Sequence, residues 1–285
     1  MLRPLERSQH VTDDRAKDVL YVPSARVIRA MSLGYTGLAA DIYWTRAVQY
    51  FGKGHQENAT SYPLLSPLLE LTTELDPKLT VAYQFGSIFL VPPPPAGAGQ
   101  PDKAVELVER GIKADPDNWR LYLSLGFIHY QYRHDIPAAI AAFERGSHVR
   151  DAHPSLKILA ATVAQQGGDE EKAAILWRAI YDTTKDQIIR KNAIDHLIAL
   201  QVDASVTQLE ALVRDFEQRN GRLPSNFAEL VASGWLRGVP LDPTGEPYKL
   251  TPDGRVEVED PSHLPFITKG LAPGQKARTA IPLPH

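Results

Sequence analysis

The placement of proline constrains this chain more than any other sequence feature. None occurs from Ser155 to Leu223, nine fall between Pro240 and Pro284, and four more form the run Pro92 to Pro95. Proline lacks a backbone N–H and its ring clashes with the preceding turn, so it is excluded from helix interiors. The empty stretch can therefore carry long helices and the crowded stretch cannot. The pattern predicts a helical body to about residue 222 and a turn-rich unit beyond it. Residues 263–285 show no core-forming pattern and read as an extended or disordered tail.

Composition narrows the functional classes. Cysteine is absent from all 285 residues, which removes disulfide staples, thiolate metal sites and cysteine nucleophiles. A formal charge of −3 from 31 basic and 34 acidic side chains lacks the basic field of a dedicated nucleic-acid binder. No apolar run of 18 residues occurs, so no membrane span is expected in this chain. The first residues are polar and charged, without a signal peptide. That reads as cytoplasmic for the sequence as it stands, or as periplasmic or envelope-associated if a signal or anchor has been removed. Both readings stay open.

A repeat runs through the helical body. Asp76-Pro77 and Asp115-Pro116 lie 39 residues apart, and His153-Pro154 follows 38 later. Ala47 and Gly86 are 39 apart, and Gly126 follows 40 later. Each unit reads as two helices, the first with a small residue at its centre and the second stopped by the proline.

These residues resemble the tetratricopeptide repeat family. The best match is Trp119 to His153, through Tyr122, Leu125, Gly126, Tyr130, Ala139, Phe143 and Gly146. The preceding unit matches through Gly86, Ala104, Val108 and Gly111, the first through Tyr43, Ala47, Leu65 and Leu69, and the fourth through Ala161, Ala173 and Trp177. The first two units carry about five or six residues more between their helices than the family's period of 34 allows. The resemblance implies a mainly α fold, a right-handed α-solenoid over residues 30–185, preceded by an extended segment over 1–29. Helices from Asp186 to Ala199 and from Ala204 to Asn220 would cap it. It also implies a concave groove lined by the first helix of each unit, which takes a protein or peptide partner. Aligned on the small central residues, the groove positions are Asp41, Trp44 and Val48, then Thr80, Tyr83 and Ser87. Arg120, Leu123, Phe127 and Tyr130 follow in the third unit, then Ser155, Ile158 and Thr162. The Pro92 to Pro95 run reads as a polyproline II spacer between helices, and the segment from Leu20 to Val27 as a strap packed along the solenoid.

Residues 221–262 read as a small helix-plus-hairpin module. Gly221 suits a helix C-terminus, Ser225 an N-cap ahead of a helix from Phe227, and Pro252-Asp253-Gly254 a hairpin turn between Tyr248–Thr251 and Arg255–Glu259. Gly221, Leu223, Pro224, Leu230, Gly234, Asp242, Pro243, Gly245, Pro247 and Tyr248 resemble the C-terminal part of type II secretion pseudopilins. The apolar N-terminal helix of those proteins is missing, so the resemblance implies an accessory subunit of an envelope or secretion assembly rather than a pilin.

Catalytic patterns are lacking. His129 and His134, like His148 and His153, are spaced by five rather than by the three or four that place two ligands on one helix face. The Ala96–Gln100 stretch lacks the Gly-Lys-Ser/Thr ending of a phosphate loop, and no Gly-x-Ser-x-Gly elbow occurs. No catalytic residue, metal or cofactor is assigned. The expectation is a non-catalytic scaffold, with a hydrolase built on a helical repeat as the alternative.

Overall fold

The computed structural model describes residues 24–276. The strap expected from Leu20 lies outside them up to residue 23, as does the part of the expected tail beyond 276. The fold is mainly helical, 63% helix with 11 α-helices and one two-stranded sheet among the described residues. The chain divides into two compact units, one ending at Gly167 and one beginning at Gly168.

The first unit begins with α1 (Ala25–Met31), a helix where an extended segment was expected. A tight turn through Leu33 and Gly34, both at positive φ, leads into α2 (Thr36–Gln56). The helix α2 buries Ala40, Tyr43 and Ala47, a stripe at helical spacing that packs on α3 (Leu65–Leu75). Then come α4 (Thr80–Leu90), α5 (Pro101–Ala114), α6 (Trp119–Phe127), α7 (Ile136–Ser147) and α8 (Ser155–Gln166). Asp76-Pro77 and Asp115-Pro116 follow directly on the ends of α3 and α5, as the residue before proline disfavours helical backbone.

In two of the pairs, α4 with α5 and α6 with α7, a glycine on the second helix admits a tyrosine from the first. A Cβ on Gly111 of α5 would lie 2.7 Å from Tyr83, and one on Gly146 of α7 would lie 2.5 Å from Tyr122. Both tyrosine hydroxyls then donate to a carbonyl six residues upstream, Tyr83 to Pro77 at 3.2 Å and Tyr122 to Pro116 at 3.1 Å. Gly126 plays a similar part on α6, where a Cβ would fall 2.3 Å from the Phe143 ring.

The proline run is not a polyproline rod. It folds into hydrogen-bonded turns between α4 and α5, with Gly99 N–H on the Pro92 carbonyl at 2.7 Å and Ala98 N–H on Phe89 at 2.9 Å. The Pro95 carbonyl accepts from the Tyr62 hydroxyl at 2.8 Å and lies 3.0 Å from His55 Nδ1. Beneath it Phe51 stacks on Phe89 with centroids 4.3 Å apart. The run therefore lids an aromatic cluster that local sequence gave no sign of.

The second unit holds α9 (Glu170–Thr183), α10 (Gln187–Asn220) and α11 (Phe227–Ala232). The two capping helices expected over 186–220 are one continuous helix. Its buried stripe runs through His196, Ala199, Asp203, Val206, Leu209, Val213 and Phe216 without losing phase, and nothing between Leu200 and Asp203 breaks it. Asp186 caps α10 through Ile188 N–H at 2.8 Å. The cap of α11 is Asn226, whose side chain accepts from Glu229 N–H at 2.9 Å, rather than the expected Ser225. Ser225 instead donates its N–H to the Glu229 carboxylate at 2.7 Å, and the Arg222 guanidinium pairs with the same carboxylate.

The hairpin is present and short: β1 (Lys249–Leu250) pairs antiparallel with β2 (Val256–Glu257), Lys249 opposite Glu257 and Leu250 opposite Val256. Gly254 takes φ +82° in its turn. The expected tail is corrected over its described part. Leu264 and Ile267 join the core with Phe227, Tyr248 and Val256, and the Gly270 carbonyl accepts from Val258 N–H at 2.9 Å.

Candidate protein-binding surface

The surface expected to bind a partner is the outer face of the first helices of the first unit, α2, α4, α6 and α8. Asp41 and Arg120 are exposed on it, and Trp44, Leu123, Phe127, Tyr130 and Ile158 are half-buried. Trp44 stacks on Phe89 with centroids 6.1 Å apart, which ties α2 to α4. The Arg120 guanidinium sits 4.5 Å from the Trp119 ring centroid, a cation–π contact that holds the charge at the surface. Phe127 meets Phe143 edge-on at 5.5 Å.

Tyr83 does not belong to this surface. It is 1% exposed, packed against Gly111 and bonded to Pro77, and Ser87 is buried as well. The reason is register. Aligning Gly86 with Gly126 places Tyr83 opposite Leu123. The shared tyrosine-to-carbonyl bonds place Tyr83 opposite Tyr122, one residue away, with Asp76-Pro77 opposite Asp115-Pro116. A one-residue shift turns a helix by about 100°, enough to move a side chain from surface to core. In the corrected register Gln84 and Ile88 of α4 match Leu123 and Phe127 of α6, and Ile88 is 58% exposed. The spacing of 39 between the Asp-Pro pairs carried this register in the sequence. Leu121 touches Gly111 as Leu156 touches Gly146, which likewise matches Ile158 of α8 to Leu123.

Tyr130 lies beyond the end of α6, in a π-helical turn over Ile128–Arg133. The wider turn carries its hydroxyl to the Gln166 side chain at 2.6 Å, and Arg133 pairs with Asp102 at 3.0 Å. His129 in the same turn has a buried Nδ1 without a hydrogen-bond partner, and burial, helped by the Arg133 charge, lowers its pKa.

Two ionisable groups buried in the second unit, Asp203 and His196, are held by their own chain. Asp203, 3% exposed, accepts from Thr268 N–H at 2.9 Å, the Thr268 hydroxyl at 2.7 Å and Lys269 N–H at 2.8 Å. His196 is stacked between Trp177 at 4.0 Å and Phe266 at 3.9 Å, nearly parallel to both. Burial lowers its pKa to about 4. A shallow depression of about 490 Å³ is lined by Phe227, Tyr248, Leu250 and Glu257, and the Glu257 carboxylate lies 3.7 Å from Arg255 Nη1. Among the described residues no cluster of three or more His, Asp or Glu is placed to hold a metal ion, and no helix is long and apolar enough to cross a membrane. No family model matches the chain, and no curated protein matches it either.

Proposed function

We propose that this chain is a helical-repeat scaffold of the tetratricopeptide type, which takes a protein or peptide segment along the first-helix face of its N-terminal unit. The observation that carries the proposal is the uncovered apolar row on that face. Ile88 and Phe85 are exposed, Trp44, Leu123 and Phe127 are half-buried beside them, and Arg120 supplies a surface cation. Aromatic side chains and arginine contribute most of the free energy at protein interfaces, and exposed apolar patches of this kind mark interaction sites. Asp203 and His196, buried in the second unit, are engaged by Thr268, Lys269, Trp177 and Phe266 and are read as structural groups. The pseudopilin-like residues from Gly221 to Tyr248 support a place as an accessory subunit of an envelope or secretion assembly.

Affinity capture with wild type, Ile88→Asp and Arg120→Glu tests the reading. Both side chains are exposed, so the variants keep the fold. Recovery of a partner bound by wild type should fall about tenfold or more with Ile88→Asp. Equal recovery by all three proteins would remove this face from the binding surface.

A further inference from the structure

The wide turn that ends α6 is built around one imidazole. Its backbone closes on the carbonyl of His129, which accepts from His134 N–H and from Asp135 N–H, the latter at 2.9 Å. The Asp135 carboxylate in turn caps α7 through Ala138 N–H at 3.1 Å. A π turn winds one residue more into the helix than the i→i+4 ladder accommodates, so it stands only where its surroundings hold it. Here α5, α6 and α7 pack around it, and the His129 ring keeps a buried Nδ1 without a hydrogen-bond partner.

Protonation changes what those surroundings must hold. In a neutral imidazole one nitrogen is an acceptor, whereas in the imidazolium both are donors. At this site the new N–H is a buried, charged donor with no acceptor, which costs more than an orphaned lone pair. The charges acting on the ring do not supply one. Arg133, in the turn itself, opposes protonation, while Asp135 at its exit and Glu109 of α5 favour it. Glu109 is already engaged by Arg145 of α7 at 3.2 Å, and Arg133 by Asp102 of α5 at 3.0 Å. The cation of α6, Arg120, lies nine residues back, about 13 Å along the axis. Burial outweighs both acids, so the folded ring has its pKa below the ordinary value. The closed turn is therefore at its full advantage above about pH 6.5 and loses it as pH falls through the lowered value.

The next residue carries this to the surface. The Tyr130 hydroxyl donates to Gln166 Oε1 at 2.6 Å, which ties the turn to the end of α8 on the first-helix face. We propose that acid opens this turn: the His129 ring takes up a proton and moves into solvent, the carbonyl that closes the turn moves with it, and Tyr130 is released from Gln166. The face then loses the side chain that joins α6 to α8, and a partner held at neutral pH is let go. That last step rests on the reading of this face as a binding surface; the opening itself does not.

Nuclear magnetic resonance of the full chain with isotope-labelled histidine and tyrosine rings, titrated from about pH 7.5 to about pH 4.5, tests the opening with no partner present. The Tyr130 ring signal, assigned with Tyr130→Phe, should shift with the same midpoint as the His129 ring, below about pH 6.5. Amide exchange over 129–135, corrected for its intrinsic rate, should quicken at least about threefold across that midpoint while α2 and α4 stay protected. His129→Gln takes up no proton and should hold both readouts constant. His134→Asn, which replaces the exposed imidazole at the exit of the same turn, should behave as wild type. Circular dichroism at neutral pH checks that each variant keeps the wild-type helix content. A Tyr130 signal that stays in place while the wild-type His129 ring titrates overturns the proposal, whether or not His129→Gln folds. A Tyr130 shift that persists in folded His129→Gln overturns it too. Captured partner should be released in acid at least about threefold more by wild type than by His129→Gln, and equal release overturns the regulatory step. Ile88→Asp, which disrupts the binding face, should open in acid as wild type does, so failure of the opening and failure of the binding surface are told apart.

Discussion

The two units reach stability by different routes. In the first, the determining contacts are local and repeated: Tyr83 bonds Pro77 and Tyr122 bonds Pro116, each six residues away, over a glycine notch in the next helix. In the second, they are single and distant: Asp203 holds Thr268 across 65 residues, and His196 stacks on Phe266. Repetition distributes stability over many small, similar terms, whereas the second unit concentrates it in a few contacts that exist once. Loss of one contact should therefore be minor in the first unit and severe in the second.

Asp203→Ala offers the hardest test. It removes the common acceptor of three donors, the Thr268 and Lys269 N–H groups and the Thr268 hydroxyl, whose hydrogen bonds are part-buried, a loss of about 2–3 kcal/mol. Thermal unfolding followed by Trp235 and Trp177 quenching should show the second unit melting early, while hydrogen exchange in α4–α7 stays protected. Equal loss of protection in both units would dissolve the contrast.

Acid should separate the units next. The His196 pKa in the folded state is about 4, below the ordinary value near 6.5. The folded state thus favours the neutral ring, and its contribution is complete above about pH 6.5 and is lost as pH falls toward 4. The loss amounts to roughly 3 kcal/mol in the second unit. His196→Phe keeps the aromatic stack and should remove that part of the pH dependence. A variant as acid-sensitive as wild type would assign the effect to other groups.

The smallest effect probes the repetition itself. Tyr83→Phe and Tyr122→Phe each delete one hydroxyl bonded to a proline carbonyl at the same offset. Each should cost about 1 kcal/mol in urea unfolding, and the two should agree closely. Values that differ several-fold would show that the two helix pairs are alike in geometry but not in energetics.

The same contrast explains what the sequence made legible. Asp-Pro stops, central glycines and the apolar stripes of α2 to α8 are local signals, so the helix pairs and most surface positions could be located from spacing. Tyr83 lies in the core rather than on the expected surface because two local registers compete, one counted from glycines and one from prolines, and they differ by a single residue. The π-helical turn under Tyr130 left no recognisable pattern. The described part of the expected tail entered the core because its partner, a buried carboxylate on α10, lies far upstream. A Leu-Pro-Phe-Ile-Thr-Lys stretch gains its meaning only beside Asp203 and His196. The two helices expected over 186–220 are one because Asp203, a polar residue, occupies the buried phase that joins the two apolar stripes.

The distance from Asp203 to its donors also has a consequence in time. On a ribosome adding about 5–20 residues per second, the 65 residues from Asp203 to Thr268 take roughly 3 to 13 seconds to make. Throughout that interval the carboxylate remains hydrated and the second unit lacks Leu264 and Ile267 of its core. The Tyr83 and Tyr122 bonds, by contrast, can close as soon as their own helix pair has emerged. Assembly during synthesis is therefore ordered by the chain itself: the first unit can be complete before the second is able to finish closing.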